Sequence, residues 1–324
     1  MNNNEKVVRP DFVELIEINE VNDVKTNINA ARNDFLAKHN KVMKTNKIVT
    51  GALFIAAIGL VVLGMTFKNL IGLWFGLIVS VLIVIWIFTR YQRKQIDEAV
   101  SEYLFSYSIN NNSYLFKGEE FNNITVGYKE RPDIELLKQL NISDLVCSVS
   151  SRNVVKGTML DKPFSVCDAS LKVGDKDKRT QQKAVFVGKV YSFDYSFDGE
   201  GRAFIYLKGC GDAAPTKLDD VNKVEISGLK GDYEVYTSYK NYKSIFNKDV
   251  VKALNRFSTD ETLNDLVISI VEGRVLIGLS YSDEAMVIPM NKDYEIDCLS
   301  HMEKELDIIK ELNKALINNT YFTK

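Results

Sequence analysis

Cysteine and histidine are the side chains here best suited to nucleophilic or metal chemistry, and the 324-residue chain holds four cysteines and two histidines. Cys298 and His301 lie three residues apart in an amphipathic stretch, so a helix would place them on one face. Such a pair could act as a nucleophile with its base, or supply half of a metal site. Since no second pair of ligands accompanies them in the sequence, we interpret them as a buried thiol and a partly exposed imidazole.

The other motifs also argue against a cofactor or metal site. No G-x-x-x-x-G-K-[ST] occurs, and no G-x-G-x-x-G follows a predicted strand. Segment 194–199 (DYSFDG) matches the first half of a calcium-binding EF-hand loop, but Ile205 stands where that loop needs a bidentate Glu. The net charge of −2 does not suit a nucleic-acid binder. We therefore predict no catalytic residue, cofactor, metal ion or nucleic-acid partner, and we do not favour an enzyme.

Two long apolar runs dominate the N-terminal third. Residues 48–67 and 70–89 are uncharged runs of 20 residues each, separated by Lys68 and Asn69. Each is long enough for a helix to cross about 30 Å of hydrocarbon, and a helix satisfies its backbone hydrogen bonds internally. The pattern predicts a two-helix transmembrane hairpin with its tip at Lys68. A re-entrant hairpin and a pair of buried core helices are the alternatives.

Positive residues predict the orientation of this hairpin. Only Lys68 lies at the tip, whereas seven positive residues flank the outer ends. By the positive-inside rule, both termini are expected in the cytoplasm of a multi-pass cell-membrane protein. The same side chains either serve as a topological signal alone or also contact anionic lipid at the membrane surface. They are Lys38, Lys41, Lys44, Lys47, Arg90, Arg93 and Lys94.

Two amphipathic segments adjoin the hairpin. Residues 1–47 are expected to form a cytoplasmic helical segment whose basic half lies next to the membrane, and residues 90–105 are expected to form a juxtamembrane helix. Because a hairpin returns the chain beside its entry point, we expect these helices to pack antiparallel as a stalk.

In residues 106–324, short apolar runs separated by turn residues predict a cytoplasmic α+β domain with a mainly antiparallel sheet. The sequence DGEG at 198–201 predicts a hairpin joining the strands on either side of it, and Glu272-Gly273 predicts a second turn between the strands 266–271 and 274–281. Helices are expected at 247–256 and, as a long C-terminal helix, at about 294–317. The four cysteines, which match no zinc spacing, are predicted to be free thiols in a reducing compartment. The predicted strands are 154–160, 164–173, 184–196, 203–207, 224–226, 233–237, 266–271, 274–281 and 285–288. Apolar and polar residues do not alternate cleanly within 184–196, so this strand is expected to be covered on both faces.

Two blocks of sequence carry a resemblance. AVFVGKVYSFDYSFDGEGRAFIYLKG (184–209) resembles an "F-x-G-x-x-x-x-x-D-F" strand followed by a second strand, with Tyr195 in place of the last Phe. Residues 224–257 are similar to a block of strand, "F-x-V-Y-s" strand and helix, although Asn247 and Lys248 replace its usual Thr-Pro helix start. Both blocks occur in a bacterial family of membrane-anchored proteins classified only as a domain of unknown function. The resemblance implies a two-span anchor with a cytoplasmic α+β domain, and it implies no activity.

These observations favour a membrane-anchored cytoplasmic binding or scaffold domain at the inner face of a bacterial membrane. Its partners would be the lipid bilayer and a protein, and four tyrosines are the candidate partner surface, with filling of the sheet as their alternative role. They are Tyr191, Tyr195, Tyr233 and Tyr236. A carboxylate-dependent enzyme or ligand sensor is the alternative function. Gly72 and Gly76 have the G-x-x-x-G spacing of close-packed helices, so oligomerisation through the spans is a further alternative to packing within the hairpin.

Overall fold

The chain divides into two compact units, which we describe separately. The first comprises Met1–Leu104 and Ile288–Tyr294, and the second comprises Phe105–Val287 and Glu295–Lys324. The computed structural model describes scattered positions between 29 and 90, and then residues 116, 118–127, 130, 132, 134–142, 146–174, 182–195, 201–208, 220–271, 273–281 and 297–322.

In the first unit, every described position between 29 and 90 is helical. Most of the predicted hairpin and nearly all of the predicted stalk lie outside the described residues. Among the positions that are described, no helix is both long and apolar enough to cross a membrane.

In the second unit, the described residues contain one nine-stranded sheet in the order β1-β2-β3-β4-β9-β8-β5-β7-β6. Every neighbouring pair is antiparallel, which confirms the predicted mainly antiparallel sheet. The strands are β1 (Phe121–Gly127), β2 (Val146–Met159), β3 (Lys162–Val173), β4 (Lys183–Asp194), β5 (Arg202–Lys208), β6 (Asn222–Val224), β7 (Tyr233–Thr237), β8 (Leu263–Val271) and β9 (Arg274–Tyr281).

Helices accompany this sheet. They are α1 (Ile134–Lys138), α2 (Tyr242–Ile245), α3 (Lys248–Phe257) and α4 (Asp297–Ile317). Helix α3 begins where the sequence predicts, because the Asn247 side chain accepts hydrogen bonds from the backbone N–H groups of Asp249 and Val250. Helix α4 is the predicted long C-terminal helix, and it contacts α3 through an ion pair of 2.5 Å between Arg256 and Glu311.

Both faces of the central sheet are covered. On one face, Val190 of β4 packs in a cluster with Leu137 of α1 and Leu140 just after it. On the opposite face, Tyr191 of β4 contacts α4, because successive strand residues point to opposite sides. Residues 189–193 of β4 are therefore all buried, as the lack of clean alternation in 184–196 predicts.

The predicted hairpin between β4 and β5 is wrong. Strand β4 pairs with β9, with Lys189 opposite Leu279, while β5 pairs with β7 and β8. The β8/β9 hairpin, which the turn at Gly273 predicts correctly, separates β4 from β5. Its strands are buried along most of their length on both faces, so they are stable only in the centre of a sheet. A turn sequence such as DGEG predicts that the chain reverses direction, but it does not determine which strands pair with each other.

The observed bounds of two other strands differ from the predicted ones. Strand β6 covers Asn222–Val224, two residues before the predicted 224–226, and β2 begins eight residues before the predicted 154. The predicted strand 285–288 lies outside the described residues.

Candidate functional site

A buried ion pair joins the C-terminal helix to the middle of the sheet. The Nζ atom of Lys189 on β4 lies 2.7 Å from Oε2 of Glu305 on α4, and each side chain is only 1% exposed. The hydroxyl of Tyr191 donates to Oε1 of the same carboxylate at 2.5 Å. The Lys189 ammonium also lies 5.9 Å from the ring centroid of Tyr281 on β9. We call these four residues the Lys189 cluster.

The local fold explains why these groups meet. Lys189 and Tyr191 are two residues apart on a strand, so both side chains point toward α4. Asp168 of β3 stands directly opposite Lys189, and its Oδ2 accepts a 2.7 Å hydrogen bond from the Asn153 amide. Opposed strand residues have Cβ atoms about 4.5–5.5 Å apart. Lys189 therefore neighbours carboxylates on both α4 and β3.

Burial and charge keep the phenols of the cluster protonated. Burial raises the pKa of Tyr191 well above its ordinary value, and the charge of Glu305 raises it further. The same two causes, in the same order, raise the pKa of Tyr281. Tyr191 is therefore a hydrogen-bond donor to Glu305 at neutral pH and not a proton acceptor. With Lys189 and Glu305 sealed from solvent, this arrangement orients and holds α4, and it does not present a reactive group.

The sequence contains weak signals of this cluster. Lys189 is a single charge within the apolar run AVFVGKVYSF, and Glu305 lies among the apolar positions of the last helix. A lone charge in a buried strand requires a buried partner. Identifying that partner needs the tertiary structure, since the two residues are 116 positions apart.

Two of the four tyrosines predicted as a partner surface are buried in the core. Tyr191 is 1% exposed and Tyr195 is 5% exposed, so that expectation is wrong for both. The Tyr195 hydroxyl donates to the side-chain oxygen of Asn313 on α4, and burial raises its pKa far above the usual range. The reason is that α4 covers this face of β4, and its side chains accept hydrogen bonds from both hydroxyls.

The other two tyrosines lie toward the opposite end of the sheet and are half-buried. Tyr233 donates its hydroxyl to the carbonyl of Leu254 at 2.5 Å, which ties β7 to α3. Tyr236 donates to Glu234 at 3.1 Å, and the ammonium of Lys223 lies 5.8 Å from its ring centroid. Lys223 also pairs with Glu234 at 2.5 Å, and this bond lowers the pKa of Glu234. We call Lys223, Glu234 and Tyr236 the β6/β7 patch.

Three of the seven predicted membrane-surface residues are described, and all three are helical and exposed. They are Lys44, Lys47 and Arg90. The other four lie outside the described residues: Lys38, Lys41, Arg93 and Lys94. Most large apolar side chains on the described helical positions between them are also exposed, whereas Leu53 and Ile85 are half-buried. The exposed ones are Ile48, Val49, Phe54, Ile55, Ile58, Val79, Leu82, Ile83, Val84, Trp86 and Ile87.

The cysteines give one tested expectation. Cys167 is a free, buried thiol as predicted, and burial raises its pKa to about 12. The side chains of Cys147, Cys210, Cys298 and His301 lie outside the described residues, so the Cys298 and His301 pair stays a prediction. In the part of the chain that is described, no three His, Cys, Asp or Glu side chains are grouped as a metal site.

Comparisons with known proteins give little further information. No family model matches the chain, and no curated protein matches it. Among solved structures, the crystal structure of the mycobacterial trehalose monomycolate transport factor A, TtfA, is similar with 11% sequence identity and a TM-score of 0.34. The match covers 60% of this chain and 86% of that one. A likeness of this strength carries no argument about fold or function.

Proposed function

We propose that this protein is a membrane-anchored binding or scaffold protein whose sheet domain presents a protein-docking surface at the inner face of a bacterial membrane. The observation that carries the proposal is the exposure of large apolar side chains on helical positions within 48–59 and 79–87, next to the exposed bases Lys47 and Arg90. Apolar side chains exposed in such density suit lipid and not water. The two uncharged 20-residue runs support the same anchor.

Binding suits the sheet domain better than catalysis. Its most strongly perturbed polar groups belong to the Lys189 cluster, where both charges are sealed from solvent and neutralise each other. The β6/β7 patch instead offers a half-exposed aromatic ring with a lysine and a glutamate around it. Tyrosine is enriched at protein-binding surfaces, and charged groups belong to the polar rim around their centre. We therefore assign the docking surface to this patch.

The experiment that tests this proposal is a crosslinking pull-down of the full-length protein from its native membrane. The wild type should capture a discrete partner, and the variant Tyr236→Ala should lose it. Lys252→Ala is the control, because Lys252 is a well-exposed lysine of α3 and is not one of the three residues of the patch. A truncation that lacks residues 106–324 should also lose the partner.

Two outcomes would contradict the proposal in different ways. If alkaline carbonate extracts the full-length protein from membranes, the anchor is wrong. If Tyr236→Ala captures the same partner in the same amount as Lys252→Ala, the β6/β7 patch is not the docking surface.

A further inference from the structure

At the end of the second apolar run, the side chain of Arg90 lies over the ring of Trp86, a contact that a membrane anchor does not by itself require. The guanidinium carbon of Arg90 lies 5.1 Å from the ring centroid of Trp86. The two residues are four positions apart, so they share one face of the helix. Trp86 is 59% exposed and Arg90 is also exposed.

This pair lies where the side chains of the helix change from apolar to charged. The described positions before it carry exposed aliphatic side chains, among them Leu82 and Ile83. Arg90 is the first charged residue after that run. The chemical boundary between hydrocarbon-like and charged surface therefore falls within the turn from Trp86 to Arg90.

The length of this turn matches the polar layer of a bilayer. Four residues of helix rise about 6 Å, and the polar region of each leaflet is roughly 5–7 Å thick. Indole rings prefer the level where the hydrocarbon ends, because they have an apolar body and one N–H donor. An Arg stacked on an aromatic face keeps its in-plane N–H donors at the edge of the guanidinium, where they fit a phosphate bidentately.

We propose that Trp86 and Arg90 form one phospholipid-binding unit, in which Arg90 binds a lipid phosphate and Trp86 fixes the depth of the second helix at the glycerol level. This inference rests on the proposed membrane anchor and adds its lipid contact. The chemical partner is the phosphate of a membrane phospholipid.

Tryptophan fluorescence tests the proposal, because the chain contains only Trp74 and Trp86. Full-length protein with Trp74→Phe would be reconstituted into phosphatidylcholine and phosphatidylglycerol vesicles that contain brominated lipids. The bromine would lie near either the glycerol end or the methyl end of the acyl chain. We expect Trp86 to be quenched more strongly by bromine near the glycerol end.

Substitutions at Arg90 test the phosphate contact. In the Trp74→Phe background, Arg90→Ala should lose the preference for shallow bromine, and Arg90→Lys should keep part of it. Lys252→Ala removes one well-exposed charge of α3 in the sheet domain, so it should leave the quenching of Trp86 unchanged. Equal quenching profiles for wild-type Arg90 and Arg90→Ala would overturn the phosphate contact.

Failure of the anchor gives a different result. In a Trp86→Phe protein, Trp74 reports insertion of the second run independently of Trp86. If brominated lipids quench Trp74 but act on Trp86 most strongly from the methyl end, the anchor stands and the binding unit is wrong. If brominated lipids quench neither tryptophan, the anchor itself is wrong and the binding unit falls with it.

Discussion

Lys189 and Glu305 each depend on the other, because an isolated charge in the core has neither water nor a counter-ion. We predict that Glu305→Gln lowers the free energy of unfolding by about 3–5 kcal/mol, since it removes the carboxylate that lies 2.7 Å from the buried Lys189 ammonium. Denaturant unfolding of the full-length protein in detergent, followed by far-UV circular dichroism, measures this loss.

The matched control removes both charges at once. The triple variant Lys189→Met, Tyr191→Phe and Glu305→Leu should unfold with a free energy close to that of the wild type, because apolar side chains of similar volume need no counter-ion and Phe has no hydroxyl that would lose its acceptor. If the Glu305→Gln protein is as stable as the wild type, Lys189 does not depend on the Glu305 carboxylate.

The Cys167 thiol should make the sheet sensitive to alkali. Burial raises its pKa from 9.0 to about 12, so between these values the unfolded chain loses a proton that the folded chain keeps. The contribution of the thiol to stability is constant below pH 9, and above it falls by up to about 1.4 kcal/mol per pH unit.

Comparison with Cys167→Ala isolates this effect. The buried tyrosines also titrate at high pH, but they contribute equally to both proteins. Unfolding free energies measured from pH 8 to 11 should therefore fall less steeply in the variant. Parallel curves for the two proteins would show that the thiol does not titrate as described.

At the scale of elements, the start of α3 depends on one amide side chain. Asn247 accepts two backbone hydrogen bonds at the helix N-terminus, so Asn247→Ala should lower the free energy of unfolding by about 1 kcal/mol. Asn247→Asp keeps the acceptor oxygen and should cost much less. Equal losses for the two variants in thermal unfolding would argue against a capping role.

The pairing of β4 with β9 depends on a close backbone approach at Gly188. A Cβ atom there would overlap the carbonyl oxygen of Leu279, which is backbone and cannot rotate away. We expect Gly188→Ala to lower stability by about 1–3 kcal/mol or more, by forcing the two strands apart. Val187→Ala, one residue earlier at a 49% exposed position, is the control and should cost little. A Gly188→Ala protein with a wild-type unfolding midpoint would contradict this account.

At the scale of the whole molecule, the orientation of the proposed hairpin can be tested with single cysteines. In a protein whose own four cysteines are replaced by Ser, Lys68→Cys places a thiol at the tip and Lys47→Cys places one at the basic flank. The positive-inside rule predicts that a membrane-impermeant thiol reagent labels intact cells at position 68 only, and position 47 after permeabilisation. The reverse pattern would invert the orientation, and labelling of both positions in intact cells would rule out a cytoplasmic flank.

Local features of the sequence were sufficient for much of the fold. The turn at Gly273 between two apolar runs predicts the β8/β9 hairpin, and the spacing of buried residues predicts α3 and most of α4. These features depend on residues within one or two turns of one another, so period and turn chemistry are enough to identify them. The same local reasoning predicts the proposed membrane anchor from the two apolar runs.

The tertiary structure decided which strands pair and which side chains contact one another. It inserts β8 and β9 between β4 and β5, buries Tyr191 and Tyr195 beneath α4, and pairs Lys189 with a carboxylate 116 residues away. The sequence by itself determined where most of the strands and the two longer helices form, because that choice depends on hydrogen bonds and side-chain periods within a short segment. Which faces are covered, and which charges must therefore be paired, depends on contacts between segments distant in sequence, and these exist only once the sheet is assembled.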